Sequence, residues 1–362
     1  MSLSPSVRAT ARASTPRQQT AFAELSGEVQ RLGLMRRRYG LYWSKMIGAV
    51  VVLTALVTTH VLLGDSWWQL VVAALLAVAL TQVAFLGHDA AHRQIFVSGK
   101  WNEWTSLIIA NGLAGMSVDW WTNKHTKHHG NPNKVGKDPD IESGVLSFTP
   151  EAATGRRTGL RGWFTARQGW LFFPLLLLEG LNLHAQGLKR IFGRRPVKRR
   201  WTEMTLVLTR LGGYLAMVFL VLSPGKALAF LGVQLGLFGL YMGASFAPNH
   251  KGMAIIGRET TVDFLRRQVL TSRNIRGGRF VDVAMGGLNY QVEHHLFPSM
   301  PRPNLRRAAP VVQEYCRRNG IPYTQTGLFD SYRIVVRYLN RVGLGARDPF
   351  ECPLVAQARV HR

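Results

Sequence analysis

Long apolar runs alternate with polar, basic stretches along this chain, and the runs come in two pairs. Residues 46–63 and 67–86 carry no charge apart from the Gly64-Asp65 break between them. Each is about 18–20 residues long, enough helix to cross a hydrocarbon core of roughly 30 Å. Residues 204–222, interrupted only by Arg210, and the uncharged residues 227–248 form a second pair, joined at Pro224-Gly225. The pattern predicts an all-α integral membrane protein with four transmembrane helices in two hairpins and both chain ends on one side.

The remaining segments are less apolar. Residues 104–121 are broken by Asn111, Gly112 and Gly115, with Asp119 near the end, which suits a re-entrant or interfacial helix. Residues 169–186 carry Glu179, Asn182 and His184. A fifth span there would invert the second pair relative to the first, so this segment is expected to lie along the interface. Beyond Pro248 the chain turns polar and basic, with helices predicted over 261–270 and 303–319 as part of a cytoplasmic helical cap. The expected organisation is a polar basic tail over 1–40, a membrane domain over 41–345 and a short tail over 346–362. The Ser/Thr/Arg-rich residues 1–20 read as disordered and lack the apolar core of a cleavable signal peptide.

Charge orients the spans. Arg36, Arg37, Arg38 and Lys45 precede the first, and Lys189, Arg190, Arg194, Arg195, Lys198, Arg199 and Arg200 precede the third, whereas the short opposite loops hold Asp65 and Lys226. Excess Lys and Arg mark the cytoplasmic side. The net charge of +25 is accounted for by this rule and by anionic headgroups. No groove-reading or base-stacking module is visible, so nucleic acid is not the expected partner. Two cysteines, Cys316 and Cys352, provide neither a disulfide framework nor a metal site.

Seven of the eleven histidines fall in three short clusters near the predicted cytoplasmic ends of apolar segments: His88-Asp-Ala-Ala-His92, His125-Thr-Lys-His128-His129 and Gln291-Val-Glu-His294-His295. Spacings of i/i+3 and i/i+4 put imidazoles on one helix face. Imidazole binds iron, zinc and copper, and seven converging rings exceed what one tetrahedral ion needs. A lone His-x-x-x-His is often decoration; three clusters on one face are read as a site for two metal ions. The zinc-protease motif would put Glu where Asp89 stands, and the Glu-x-x-His pairs of soluble di-iron bundles are missing.

The three clusters, in this order and separated by these spans, resemble those of the membrane fatty acid desaturases, over roughly residues 40–340. The third box, which opens on Gln291 rather than His, is similar to the bacterial acyl-CoA, front-end and sphingolipid desaturase branch. The resemblance implies a cell (inner) membrane enzyme with its site in the cytoplasm, binding two irons and using O2 to remove two hydrogens from an acyl chain carried by CoA, acyl carrier protein or lipid. His88, His92, His125, His128, His129, His294 and His295 inherit the ligand role. Gln291 becomes a weak ligand or a donor that orients one. Relatives carry a further ligand where His250 stands, and His184 could fill the vacancy at Gln291; alternatively His184 is an interfacial residue bonded to backbone. His60 and His361 are expected to be uninvolved. Asp138, Asp140 and Glu142 either bond ligand imidazoles or form a solvated loop, and Phe85, Phe238 and Tyr241 are candidates to line an acyl tunnel.

Rival readings are a hydroxylase of the same superfamily, a metal transporter and a cytochrome b. A transporter would place ligands mid-membrane, and bis-histidine haem needs facing histidines within spans, where only His60 lies deep. The chain lacks the His-Pro-Gly-Gly signature of a fused cytochrome b5. Electrons are therefore expected from a separate donor, a ferredoxin or similar protein with an NAD(P)H reductase, docking on Arg266, Arg267, Arg273, Arg276 and Arg279.

Overall fold

The computed structural model describes residues 16–345 except 143 and 157. The expected 346–362 tail, His361 and Cys352 lie outside the described residues. In chain order the elements are α1 (Pro16–Arg31), α2 (Tyr39–Leu63), α3 (Gln69–Ala91), α4 (Gly99–Ser106), a π-helical turn (Leu107–Leu113), α5 (Val118–Gly130), α6 (Pro150–Thr154), α7 (Gly159–Ala166), α8 (Gln168–Leu176) and α9 (Glu179–Phe192). There follow α10 (Arg200–Val221), α11 (Pro224–His250), α12 (Phe264–Leu270), β1 (Asn274–Arg276), α13 (Gly278–Ala284), α14 (Gln291–Leu296), α15 (Arg302–Arg318), β2 (Gln325–Gly327) and α16 (Leu328–Gly343). The protein is mostly helical. β1 and β2 form one short parallel pair, with Asn274 opposite Gln325.

Among the described residues, four helices are long and apolar enough to cross a membrane: α2, α3, α10 and α11. Their most apolar stretches are 6%, 61%, 17% and 39% buried, respectively. That contrast makes α3 and α11 the inner spans, packed on each other, and leaves α2 and α10 facing outward. Leu76, Leu80, Val83, Phe230 and Phe238 fill the seam between the inner pair. Asp65, between α2 and α3, accepts from the Ser223 amide at 2.9 Å and pairs with Lys226 at 3.0 Å, so the two short loops lie side by side.

The segment read as interfacial is a broken helix: α8 and α9 meet at a 71° bend. Its closeness to α11 depends on glycine. A Cβ at Gly239 would collide with Gly180 N and Leu176 O, and one at Gly180 with Leu235 O. Small residues let helix backbones touch within a membrane. Gly239→Leu should separate the two and lower the thermal midpoint of the purified protein, an overpacking cost of about 1–3 kcal/mol.

Part of the segment expected as a tail over 1–40 packs against the rest of the protein. Pro16–Arg31 forms a helix, and Leu25 and Val29 are fully buried against Leu265, Val292, Leu305 and Val312. Tyr315 donates to the Ala21 carbonyl at 2.7 Å. Ala21, Phe22, Leu25 and Val29 make this contact on an otherwise polar helix, too weak a pattern to read without the partner surface. Residues 1–15 lie outside the described residues.

Candidate metal centre

The first box occupies the last turn of α3, where i/i+4 spacing places His88 and His92 one above the other, 4.6 Å apart between ring centroids. The second is the last turn of α5, capped at its start by the Ser117 side chain. The third is the short α14, anchored through a buried Glu293. Tyr323 and Asn274 donate to the Glu293 carboxylate, each at 2.7 Å, and Asn274 Oδ1 accepts from the Val292 amide. Burial pushes the Glu293 carboxyl up to about 7 despite these donors.

These helices bring the imidazoles into two adjoining groups. His88, His92, His125 and His294 form one; His128, His250 and His295 form the other. In each, the candidate ligand atoms lie within 4.8 Å of one another. His129 sits between them, stacked on His295 at 4.2 Å, with its Nε2 3.0 Å from that of His125. Neither group follows the box order: each mixes residues from distant parts of the chain.

The outer ring nitrogens are assigned partners. Asp138, fully buried, approaches His128 Nδ1 at 3.0 Å with both oxygens, and Asp140 lies 3.4 Å from the same atom. The Thr271 carbonyl lies 2.9 Å from His250 Nδ1, and Gln268 Oε1 lies 3.0 Å from His295 Nδ1. Asp89 lies 3.4 Å from His88 Nδ1 and is itself held by Arg302 at 2.6 Å. Such partners fix ring orientation and raise ligand basicity. His128 therefore turns Nδ1 to carboxylates and Nε2 to His250, at 3.3 Å.

Several of the inner nitrogens are left without partners. Nε2 of His88, His92, His294 and His295 is buried and bonded to nothing, as is Nδ1 of His294. Buried polar atoms are almost always satisfied, so this cluster of orphaned lone pairs fits metal ions. Electrostatics agree. Burial first, and neighbouring imidazoles second, hold His92, His125, His129, His294 and His295 well below the ordinary histidine value. They are neutral at physiological pH, the form that binds metal. Although burial pushes Asp140 upward, Lys124, His128 and Lys251 hold its carboxyl well below the usual range.

Gln291 is buried with its amide nitrogen 2.9 Å from His250 Nε2, while its oxygen accepts from Asn249 at 3.3 Å. His184 is not brought into either group. Its Nδ1 lies 3.0 Å from the Gly115 carbonyl and its ring stacks on Phe238 at 6.1 Å, so it does not fill a vacancy at Gln291. His60 pairs with Gln69 at 2.7 Å beside the turn between α2 and α3. His250→Ala should consequently reduce bound metal as a box substitution does, whereas His184→Phe and His60→Gln should leave it unchanged; metal content of the purified variants measures this.

Sequence reasoning overlooked Arg302, Gln268 and the Thr271 carbonyl, which act through other residues and follow no motif. It also misread Arg273. That side chain is 1% exposed and donates to the Pro248 and Lys251 carbonyls at the end of α11, satisfying groups that a helix end leaves open. It is not available to a docking protein.

Residues 65–327 match the fatty acid desaturase family model. The chain belongs to the fatty acid desaturase family. It is 27% identical over 350 residues to a Delta(8)-fatty-acid desaturase of Helianthus annuus, covering 90% of this chain and 74% of that one. It is 30% identical over 295 residues to a Delta(6)-fatty-acid desaturase of Caenorhabditis elegans, with 76% and 65% covered. An acyl-lipid (9-3)-desaturase of Borago officinalis is 28% identical over 279 residues, with 74% and 62% covered. The desaturase is an oxidoreductase that introduces a double bond into an acyl chain.

Proposed function

We propose that this desaturase holds two iron ions, one in each imidazole group, and acts with O2 on an acyl chain entering from the membrane. The observation that carries the reading is the convergence of seven imidazoles in two groups, with Nε2 of His88, His92, His294 and His295 buried and unpartnered. Bound iron would supply the oxygen activation needed to break unactivated C–H bonds. The chain's own residues do the rest. Asp138, Gln268, the Thr271 carbonyl and the Asp89–Arg302 pair hold ligand rings in place, and Gln291 sets its amide against His250 as a weak ligand or an orienting donor.

Phe85 and Phe238, buried, and Tyr241, half-buried and donating to the Ala284 carbonyl at 2.7 Å, line the acyl path in this reading. Two hairpins under a helical cap, in the inner membrane with site and termini cytoplasmic, account for the basic residues before α2 and α10. A cysteine placed at Asp65 should label from outside sealed cells and one at Val135 should not; the reverse result would overturn the orientation.

Electrons come from a separate acidic donor. With Arg273 buried, the exposed Arg276 and Arg279 remain for docking. Their replacement by Glu should raise the Michaelis constant for a ferredoxin several-fold without raising that for the acyl substrate. The function itself is tested by expressing the chain in a host and analysing its fatty acids. A new double bond, absent with His294→Ala, is expected; a hydroxylated chain instead would overturn the reading.

A further inference from the structure

Arg31, Arg36, Arg37, Arg38 and Arg307 surround a cleft of about 410 Å³ between the end of α1, the segment leading into α2, and the first turns of α15. Several other cations on this surface are paired: Arg190 with Asp119, Lys198 and Arg199 with Glu103, Arg266 with Asp263, and Arg306 with Asp282. In the cleft no carboxylate contributes to the lining. The acid on the neighbouring turn, Glu28, is engaged by Arg318 at 3.5 Å instead. Holding five like charges around one concavity is unfavourable unless a counter-anion enters it.

The cleft is built rather than incidental. Asn304, 1% exposed, donates to the Leu34 and Arg36 carbonyls at 2.7 and 3.1 Å and so fixes the cation-bearing loop. Its Oδ1 stays buried with no partner. Arg37 donates to the Ser299 carbonyl at 2.8 Å. Tyr39 and Trp43 follow at once in the chain, exposed on the first turns of α2, where aromatic side chains mark the headgroup level of a bilayer.

We propose that this cleft binds the phosphate headgroup of a membrane phospholipid. Guanidinium groups match phosphate in charge and in planar two-point hydrogen bonding. The unpaired Asn304 oxygen suits a hydroxyl or ammonium donor on the same headgroup. The site is separate from the metal centre but mechanically joined to it, because Ser299 follows the third box by four residues. A soluble phosphate or nucleotide shares the chemistry. The position beside the interfacial aromatics selects the lipid. The inference concerns binding alone and stands whether or not the bound lipid is the one desaturated.

The detergent-purified full-length protein would be titrated with dihexanoyl phosphatidylglycerol, with phosphate-free dihexanoylglycerol, with inorganic phosphate and with ADP, following thermal midpoint and tryptophan fluorescence. Saturable binding of the phospholipid is expected, with no response to the glyceride and at least about a hundredfold weaker binding of phosphate and ADP. Arg36→Ala/Arg307→Ala should raise the phospholipid dissociation constant about tenfold or more with unchanged bound iron. Arg31→Ala/Arg38→Ala should do the same, and Arg194→Ala/Arg195→Ala should not. All these side chains are exposed, so folding does not depend on them. Wild-type affinity in both cleft variants, or an equal response to the glyceride, would overturn the site. Phosphate or ADP binding as tightly as the lipid would overturn the headgroup assignment.

Discussion

Replacing His294 by alanine should abolish desaturation while leaving the protein inserted at normal abundance. Both ring nitrogens of His294 are buried without a partner, so the ring makes no hydrogen bond that the fold would miss. In the first group it stands with His88, His92 and His125 and is the member contributed by the last third of the chain. Loss of a residue that merely orients a ligand costs roughly 10–100-fold, and loss of the ligand itself should exceed that. If each group holds one iron as proposed, bound iron should fall towards one ion per chain, the second group keeping its own. Measuring double-bond formation and iron on the same preparation separates this outcome from misfolding. Normal turnover by His294→Ala would remove the basis for the metal centre.

Arg302→Leu should be the most destabilising single substitution near the site. The guanidinium is buried, lies 2.6 Å from Asp89 and donates to the Phe85 carbonyl at 2.6 Å. Its backbone amide reaches Tyr42 and Gln94 at 3.1 Å. Removing one member of a buried ion pair strands the other, at about 3–5 kcal/mol. The expected loss in thermal midpoint is on the order of 10 °C, with loss of iron because Asp89 no longer orients His88. Asp89→Asn combined with Arg302→Leu should recover part of the stability, since no isolated charge is left. Equal destabilisation by the single and double variants would show that the pair is not the cause.

How much was legible in the sequence differs by residue type. The spans were, because apolar runs of membrane length have few other uses, and observed α2, α3, α10 and α11 contain the predicted stretches almost entirely. The clustering of histidines within each box was, because i/i+3 and i/i+4 spacing acts within one helix. The division into two groups was not. It depends on how α3, α5, α11 and α14 cross, and no local pattern encodes a crossing. Arg273 and Arg302 show the same limit from the other side. As letters they are two more cations in a basic chain; only burial distinguishes a cap on α11 and a counter-ion for Asp89 from surface charge.

The mixing of boxes within each group has a consequence for how the enzyme is made. His88 and His92 are synthesised some two hundred residues before His294 (88 to 294), and neither group can close until the final third of the chain has left the ribosome. By then all four spans have been threaded into the bilayer. Until α14 docks, beneath the α1 helix that waits from the start, the early histidines lack their partners from the end of the chain. Metal held by these groups would therefore be acquired last, as the event that joins the beginning of the polypeptide to its end, and a chain released too early would be an inserted membrane protein with no chemistry at all.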